Sequence, residues 1–222
     1  MDPGRDIEKY RSRAEQGDAL AQFTLGAAYF HATPPDHAEA ARWYRKAAEQ
    51  GHADAQFSLG VLYHRGLGVA QDYASAARWY LAAATQGDAQ SQNSIGVFYA
   101  CGAGVPRAYV EAMRWFRKSA EAGNPVAQRN LGLMYHKGLG IPQNYPEAVR
   151  WYRKAADQNN LDALSCLSVM YLRGLGVPRS FRAALRLFRR SMKAQDSVMP
   201  EGAGAAMRWA FNDIRAANHF RF

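Results

Sequence analysis

AQFSLGVLYHRGLGVAQDYASAARWYLAAATQG, residues 55–87, decides the fold, because the chain repeats it. Its opening returns as AQFTLGAAYF (21–30), SQNSIGVFYA (91–100), AQRNLGLMYH (127–136) and ALSCLSVMYL (163–172). The small residues Gly26, Gly60, Gly96, Gly132 and Ser168 recur at spacings of 34, 36, 36 and 36. Tyr29, Tyr63, Tyr99, Tyr135 and Tyr171 follow three residues later each time. Its close, AARWYLAAATQG (76–87), returns as AARWYRKAAEQG (40–51), AMRWFRKSAEAG (112–123), AVRWYRKAADQN (148–159) and ALRLFRRSMKAQ (184–195). Trp43, Trp79, Trp115 and Trp151 share one position, which Leu187 takes in the last copy.

Each half of the unit reads as a helix. Ala55, Leu59 and Tyr63 stand four apart, which places them on one helical face. The stop is Gly66-Leu67-Gly68, repeated at 102–104, 138–140 and 174–176, because glycine accepts the left-handed conformation that ends helices. The second helix starts at Asp36, Asp72, Ala108, Asn144 and Ser180, and four of these five carry a capping oxygen. Ala40, Ala76, Ala112, Ala148 and Ala184 then supply a small residue where helices approach closely. One helix pair cannot bury its apolar face alone, so neighbouring pairs must stack. Tryptophans and tyrosines are expected to fill the gaps between layers, with Trp79, Trp115 and Trp151 buried between repeats.

The pattern LGxxY…GxGV…A..WY.KAA..G at a period of 36 resembles the Sel-1-like repeat, the slightly longer relative of the tetratricopeptide repeat. The resemblance implies an all-α, right-handed superhelical solenoid of stacked antiparallel helix pairs, with about eleven to twelve helices. Five repeats are expected at about 18–51, 52–87, 88–123, 124–159 and 160–195. Residues 1–17 form an N-terminal capping helix on this reading, with Lys9 in the tryptophan position. Residues 196–222 form a C-terminal capping helix and tail, in which Met207, Phe211 and Ile214 share a face. The first repeat departs from the pattern, with His31-Ala32-Thr33-Pro34-Pro35 in place of GxGV.

Composition narrows the function. Charged residues are 21% and apolar residues 48% of the chain, which argues against disorder, and the net charge of +9 favours an acidic partner, a nucleic acid or an anionic membrane surface. No apolar run approaches the roughly 20 residues of a membrane span. The start, MDPGRDIEKY, lacks a signal-peptide pattern, so a cytoplasmic location is expected. Arginine outnumbers lysine 22 to 6, a bias that suits a GC-rich bacterium.

No catalytic constellation emerges, and no enzyme, cofactor or metal is expected. The histidines do not form HExxH or another metal pattern. His64 and His136 are equivalent sites two repeats apart, roughly 20 Å at about 10 Å per helix layer, too far to share a metal ion. The same spacing keeps Cys101 and Cys166 from pairing, since a disulfide needs Cα atoms within about 7 Å.

The resemblance points instead to a scaffold or adaptor that binds a protein or extended peptide. In the related tetratricopeptide fold the first helices line a concave groove. Carried over by alignment, the candidate groove residues are Phe23, Phe30, Phe57, Val61, His64, Arg65, Asn93, Arg129, His136, Lys137 and Arg173. Phenylalanines make its N-terminal part apolar, and Arg129, Lys137 and Arg173 make its C-terminal part basic. A ligand with acidic and apolar residues would match. The alternative is a convex basic face that docks on an anionic membrane or nucleic acid. It would use Arg42, Arg45 and Lys46, Arg114, Arg117 and Lys118, Arg150, Arg153 and Lys154, and Arg186, Arg189 and Arg190.

Overall fold

The computed structural model describes residues 10–198, with side chains to residue 192. The expected C-terminal capping helix with Met207, Phe211 and Ile214, and Lys9 of the N-terminal cap, lie outside the described residues. After a helical segment at 10–15, ten helices follow: α1 (Ala19–Phe30), α2 (His37–Glu49), α3 (Ala53–Arg65), α4 (Tyr73–Thr85), α5 (Ala89–Cys101), α6 (Tyr109–Glu121), α7 (Pro125–Lys137), α8 (Tyr145–Asp157), α9 (Leu161–Arg173) and α10 (Phe181–Val198). Among the described residues there is no strand. The chain divides between Ala108 and Tyr109 into two compact units, the first ending after α5 and the second beginning with α6. Within each unit every helix packs on the next in sequence.

Both ends of each helix have a chemical cause. Asp36, Asp72, Asn144 and Ser180 cap the second helices as their sequence position predicts, each accepting a backbone N–H two or three residues on. The first helices have caps of their own that the repeat reading passed over. Asp18, His52, Asp88, Asn124 and Asn160 accept from Ala21, Ala55, Ser91, Ala127 and Ala163. At the other end Gly66, Gly102, Gly138 and Gly174 adopt the left-handed conformation, with φ of 67°, 75°, 68° and 72°. The loop to the second helix is then closed by one recurring bond. The carbonyls of Tyr29, Tyr63, Tyr99, Tyr135 and Tyr171 accept the N–H of residue 36, 72, 108, 144 or 180 at 2.9–3.0 Å.

The second glycine of each GxG turn does different work. A Cβ on Gly68 would stand 2.2 Å from the His37 carbonyl carbon, and one on Gly104 would stand 2.2 Å from that of Tyr73. Gly140 and Gly176 approach Tyr109 and Tyr145 in the same way. The turn therefore rests directly on the start of the preceding repeat's second helix, where no side chain fits.

Within each unit the core lies between successive helices. In the first unit Ala40, Ala47, Ala55, Leu59 and Leu62 are fully buried. In the second unit Ala148, Tyr152, Ala155, Ala163, Leu164 and Met170 are. The aromatic residue after each tryptophan, Tyr44, Tyr80, Phe116 or Tyr152, is 0–4% exposed. Burial pushes the Tyr44 phenol up to about 12, against a side-chain hydrogen bond from Ser58 that lowers it.

The tryptophans depart from expectation. Trp43 and Trp151 are buried, but Trp79 and Trp115 are only half-buried. Each tryptophan precedes the buried aromatic by one residue, a turn of about 100° around the helix, which brings it to the rim of the buried face. The open side of three of the four rings is covered by a lysine three residues on. Lys46, Lys118 and Lys154 hold Nζ 4.2, 4.5 and 4.3 Å from the ring centres of Trp43, Trp115 and Trp151.

Candidate functional site

Polar and apolar residues are mixed around the first helices, whereas α2, α6 and α8 each have one sharply polar face. The polar faces of the second helices therefore look to solvent, and candidate residues fall on two surfaces.

On the first helices of the first unit, the three phenylalanines are half-buried. Phe23 stacks on His52 at 4.8 Å and tilts against Tyr44 at 5.7 Å. Phe30 meets His31 and His37, each at 5.0 Å. Phe57 lies 5.7 Å from Tyr80. Val61 and Asn93 are half-buried, and Arg65 is exposed. His64 packs edge-on against Phe98 at 5.2 Å, with Nδ1 3.5 Å from the Tyr80 hydroxyl.

The second unit repeats part of this arrangement. His136 Nδ1 lies 3.4 Å from the Tyr152 hydroxyl. Burial holds the His136 imidazole below its ordinary value, and the charges of Lys137 and Arg173 push it further the same way. Lys137 and Arg173 are exposed. Arg129 is half-buried; it donates to Asn130 at 2.7 Å and pairs with Asp162 at 3.0 Å. Its charge is thus engaged within the repeat stack. Neither Cys101 nor Cys166 is in a disulfide, and burial pushes the Cys166 thiol up.

The cations of the second helices also have intramolecular partners. The first of each set pairs with a glutamate three residues earlier: Arg42 with Glu39 at 3.0 Å, Arg114 with Glu111 at 2.7 Å, and Arg150 with Glu147 at 3.5 Å. The second donates to a phenol eighteen residues later, Arg45 to Tyr63, Arg117 to Tyr135 and Arg153 to Tyr171, at 2.6–2.9 Å. The third is the lysine over the tryptophan. In the fifth repeat Arg190 donates to Asn159 at 2.7 Å, and Arg186 and Arg189 are exposed. The arginine–tyrosine clamp was legible in the sequence as a register of eighteen. Arg11 with Tyr29 obeys it, and Leu81 interrupts it before Tyr99.

A buried amide ladder had no sequence signal beyond recurring glutamines. Gln22, Gln56, Gln92 and Gln128 donate to the carbonyls of Ala14, Ala48, Ala84 and Ala120 at 3.0–3.2 Å. The amide oxygens of Gln22, Gln56 and Gln128 accept from Gln50, Gln86 and Gln158 at 2.7–2.9 Å. Gln92 Oε1 is buried without a partner; Ala122 holds the place of the next glutamine in the sequence.

Among the described residues no group of three His, Cys, Asp or Glu side chains could hold a metal ion, and no helix is long and apolar enough to cross a membrane.

Comparison with known proteins agrees with this geometry. The sequence profile of the Sel1 repeat matches residues 19–52, 53–88, 89–124, 125–160 and 162–196. A protective antigen of uropathogenic Escherichia coli strains that displays this repeat fold is 40% identical, with a TM-score of 0.81. The match covers 85% of this chain and 41% of that one, so the chain spans about two-fifths of the antigen's length. A Sel1 repeat protein from Oxalobacter formigenes is 33% identical with a TM-score of 0.77, over 81% of this chain and 74% of that one. Both matched proteins are bacterial. No protein of curated function matches the chain. Sel1 repeat proteins are generally non-catalytic scaffolds for protein–protein interaction. With five matched repeats over most of its length, this chain belongs to the Sel1 repeat family.

Proposed function

We propose that the protein is a non-catalytic adaptor that binds a partner protein through the exposed surface of its first helices. One observation carries the reading: the repeat stops repeating on that surface. Positions that build each layer are nearly invariant along the chain, while Phe23, Phe57, Asn93, Arg129 and Ser165 share one position and differ in size and charge. Phe23, Phe57 and Arg129 also pack within their own layers, so it is the part of each varying side chain left at the surface that can encode a partner. The solvent-facing cations of α2, α6 and α8 support the same choice, because each already has a glutamate, a phenol or an indole beside it. The first unit offers Phe30, Phe57, Val61 and Arg65; the second offers His136, Lys137 and Arg173 with the exposed Val169 and Leu172. Apolar side chains suit the former and carboxylates beside apolar groups suit the latter.

The test begins with a partner recovered by pull-down on the full chain, and its affinity is then measured by calorimetry. Arg65→Glu with Arg173→Glu should weaken binding at least about tenfold, a reasonable loss for reversing two contact charges. Arg114→Glu with Arg150→Glu, on the second helices, should change it little. The opposite pattern would sink the reading.

A further inference from the structure

The net charge of +9 is not spread over the chain. Residues 163–195 hold seven Arg or Lys and no Asp or Glu. In the earlier repeats the outward cations have scaffold partners; the fifth repeat keeps the cations, but its sequence replaces the residues that partner them in the others. Ala183 stands where Glu39, Glu111 and Glu147 stand, so Arg186 has no carboxylate three residues before it. Leu187 replaces the tryptophan, and Arg190 turns to Asn159 instead. The register of eighteen that gives Arg45, Arg117 and Arg153 a phenol leads from Arg189 to Met207.

Three of these cations form a stripe. Arg182, Arg186 and Arg189 stand at i, i+4 and i+7 on α10, within about 60° of one another at 100° per residue, and span about 10 Å at 1.5 Å per residue. All three are exposed. The equivalent positions of α8, Pro146, Arg150 and Arg153, are exposed as well, so this is the solvent-facing side of a second helix. The apolar residues Phe181, Phe188 and Met192 are also exposed but lie roughly a quarter-turn away.

We infer that the Arg182–Arg186–Arg189 stripe of α10 is a docking surface for an acidic helix of a partner protein, with carboxylates at matching i, i+4 and i+7 positions. Charge complementarity commits the occupant. Three guanidiniums over about 10 Å match three carboxylates on about two turns of helix, and arginine pairs with carboxylate in a two-toothed geometry. A nucleic-acid backbone needs a longer track, and the cations of the preceding second helix, α8, are already partnered within their own unit. Phe181, Phe188 and Met192 are exposed about a quarter-turn from the cations, so an anionic membrane is the competing occupant, and the vesicle arm of the test decides against or for it. This surface is separate from the first-helix surface and does not depend on it.

The test uses the full chain and a fluorescein-labelled, capped alanine-rich helix of about eighteen residues carrying glutamate at i, i+4 and i+7, with a glutamine version as control. Anisotropy in low salt should show binding of the glutamate helix and none of the glutamine helix. Arg186→Glu with Arg189→Glu should weaken it at least about tenfold, Arg114→Glu with Arg150→Glu less than about twofold, and Arg65→Glu with Arg173→Glu likewise. Equal loss from the α10 and control pairs would show general charge attraction and overturn the inference. No binding of the glutamate helix would overturn it too. So would tighter binding of a single-stranded oligonucleotide, or of phosphatidylserine vesicles, lost with the same α10 variants. Failure of the first-helix pair to affect a recovered partner would bear on the proposed function alone.

Discussion

Replacing Gly60 by alanine adds one methyl group to the middle of α3, and the structure says where it would go. A Cβ there would stand 2.8 Å from both Cδ1 and Cε1 of Tyr80 and 3.4 Å from Cγ. Carbon atoms prefer about 3.5–4.0 Å, so the ring would have to retreat by roughly 0.7 Å. It has little room: Tyr80 is 2% exposed, with Phe57 at 5.7 Å and Phe98 at 5.3 Å around it. Overpacking of this kind costs about 1–3 kcal/mol. Alanine recovers about 1 kcal/mol over glycine in a helix interior. The net expectation is a loss of up to about 2 kcal/mol, or roughly 4–8 °C in melting temperature for a chain of this size. The decisive arm is the double variant. In a Tyr80→Ala background the ring is gone, so Gly60→Ala should change sign and stabilise by about 1 kcal/mol. Urea unfolding of the four proteins, followed by circular dichroism, measures the coupling. Gly60→Ala that destabilises equally in both backgrounds, or stabilises the parent, would refute the close-packing argument. The fifth repeat already hints at the answer: Ser168 carries a Cβ, bonds the Ala184 carbonyl at 2.9 Å, and Phe188, which follows the tryptophan position, is 52% exposed.

Other expectations follow from the same geometry. Gln86→Ala should strand the buried amide oxygen of Gln56 and cost about 1–3 kcal/mol in urea unfolding, whereas Gln86→Glu, which keeps the size but removes the donor, should do no better. Trp151→Ala should cost about 3–5 kcal/mol, and Trp115→Ala clearly less, because only the former ring is buried; equal losses would count against the rim placement. His136 is held below its ordinary value, so its neutral form is favoured by folding; stability is present above that value, near 6.5, and is lost as pH falls through the folded one. His136→Gln should flatten the pH dependence of the melting temperature below neutrality. In the native protein Cys166 should react slowly with a thiol reagent, since burial raises its pKa, and both thiols should titrate after denaturation without reductant.

The sequence alone determined the helix pairs, their period and their stops, because those depend on short-range chemistry. A left-handed glycine, a capping aspartate and an apolar residue every third or fourth place act within one helix and leave a repeated signature. The family followed from the same signature. Tertiary structure decided what each repeated residue is for. Gly60 and Gly68 look alike in sequence, yet one makes room for a ring and the other for a backbone. Lys154 and Arg190 hold one repeat position, yet one covers the Trp151 ring while the other turns to Asn159. Arg129 reads as an exposed groove cation until Asp162, thirty-three residues later, is seen beside it. The reason is physical: a helix wheel gives a side chain its direction, but only the stacking of the next layer places the atom it meets.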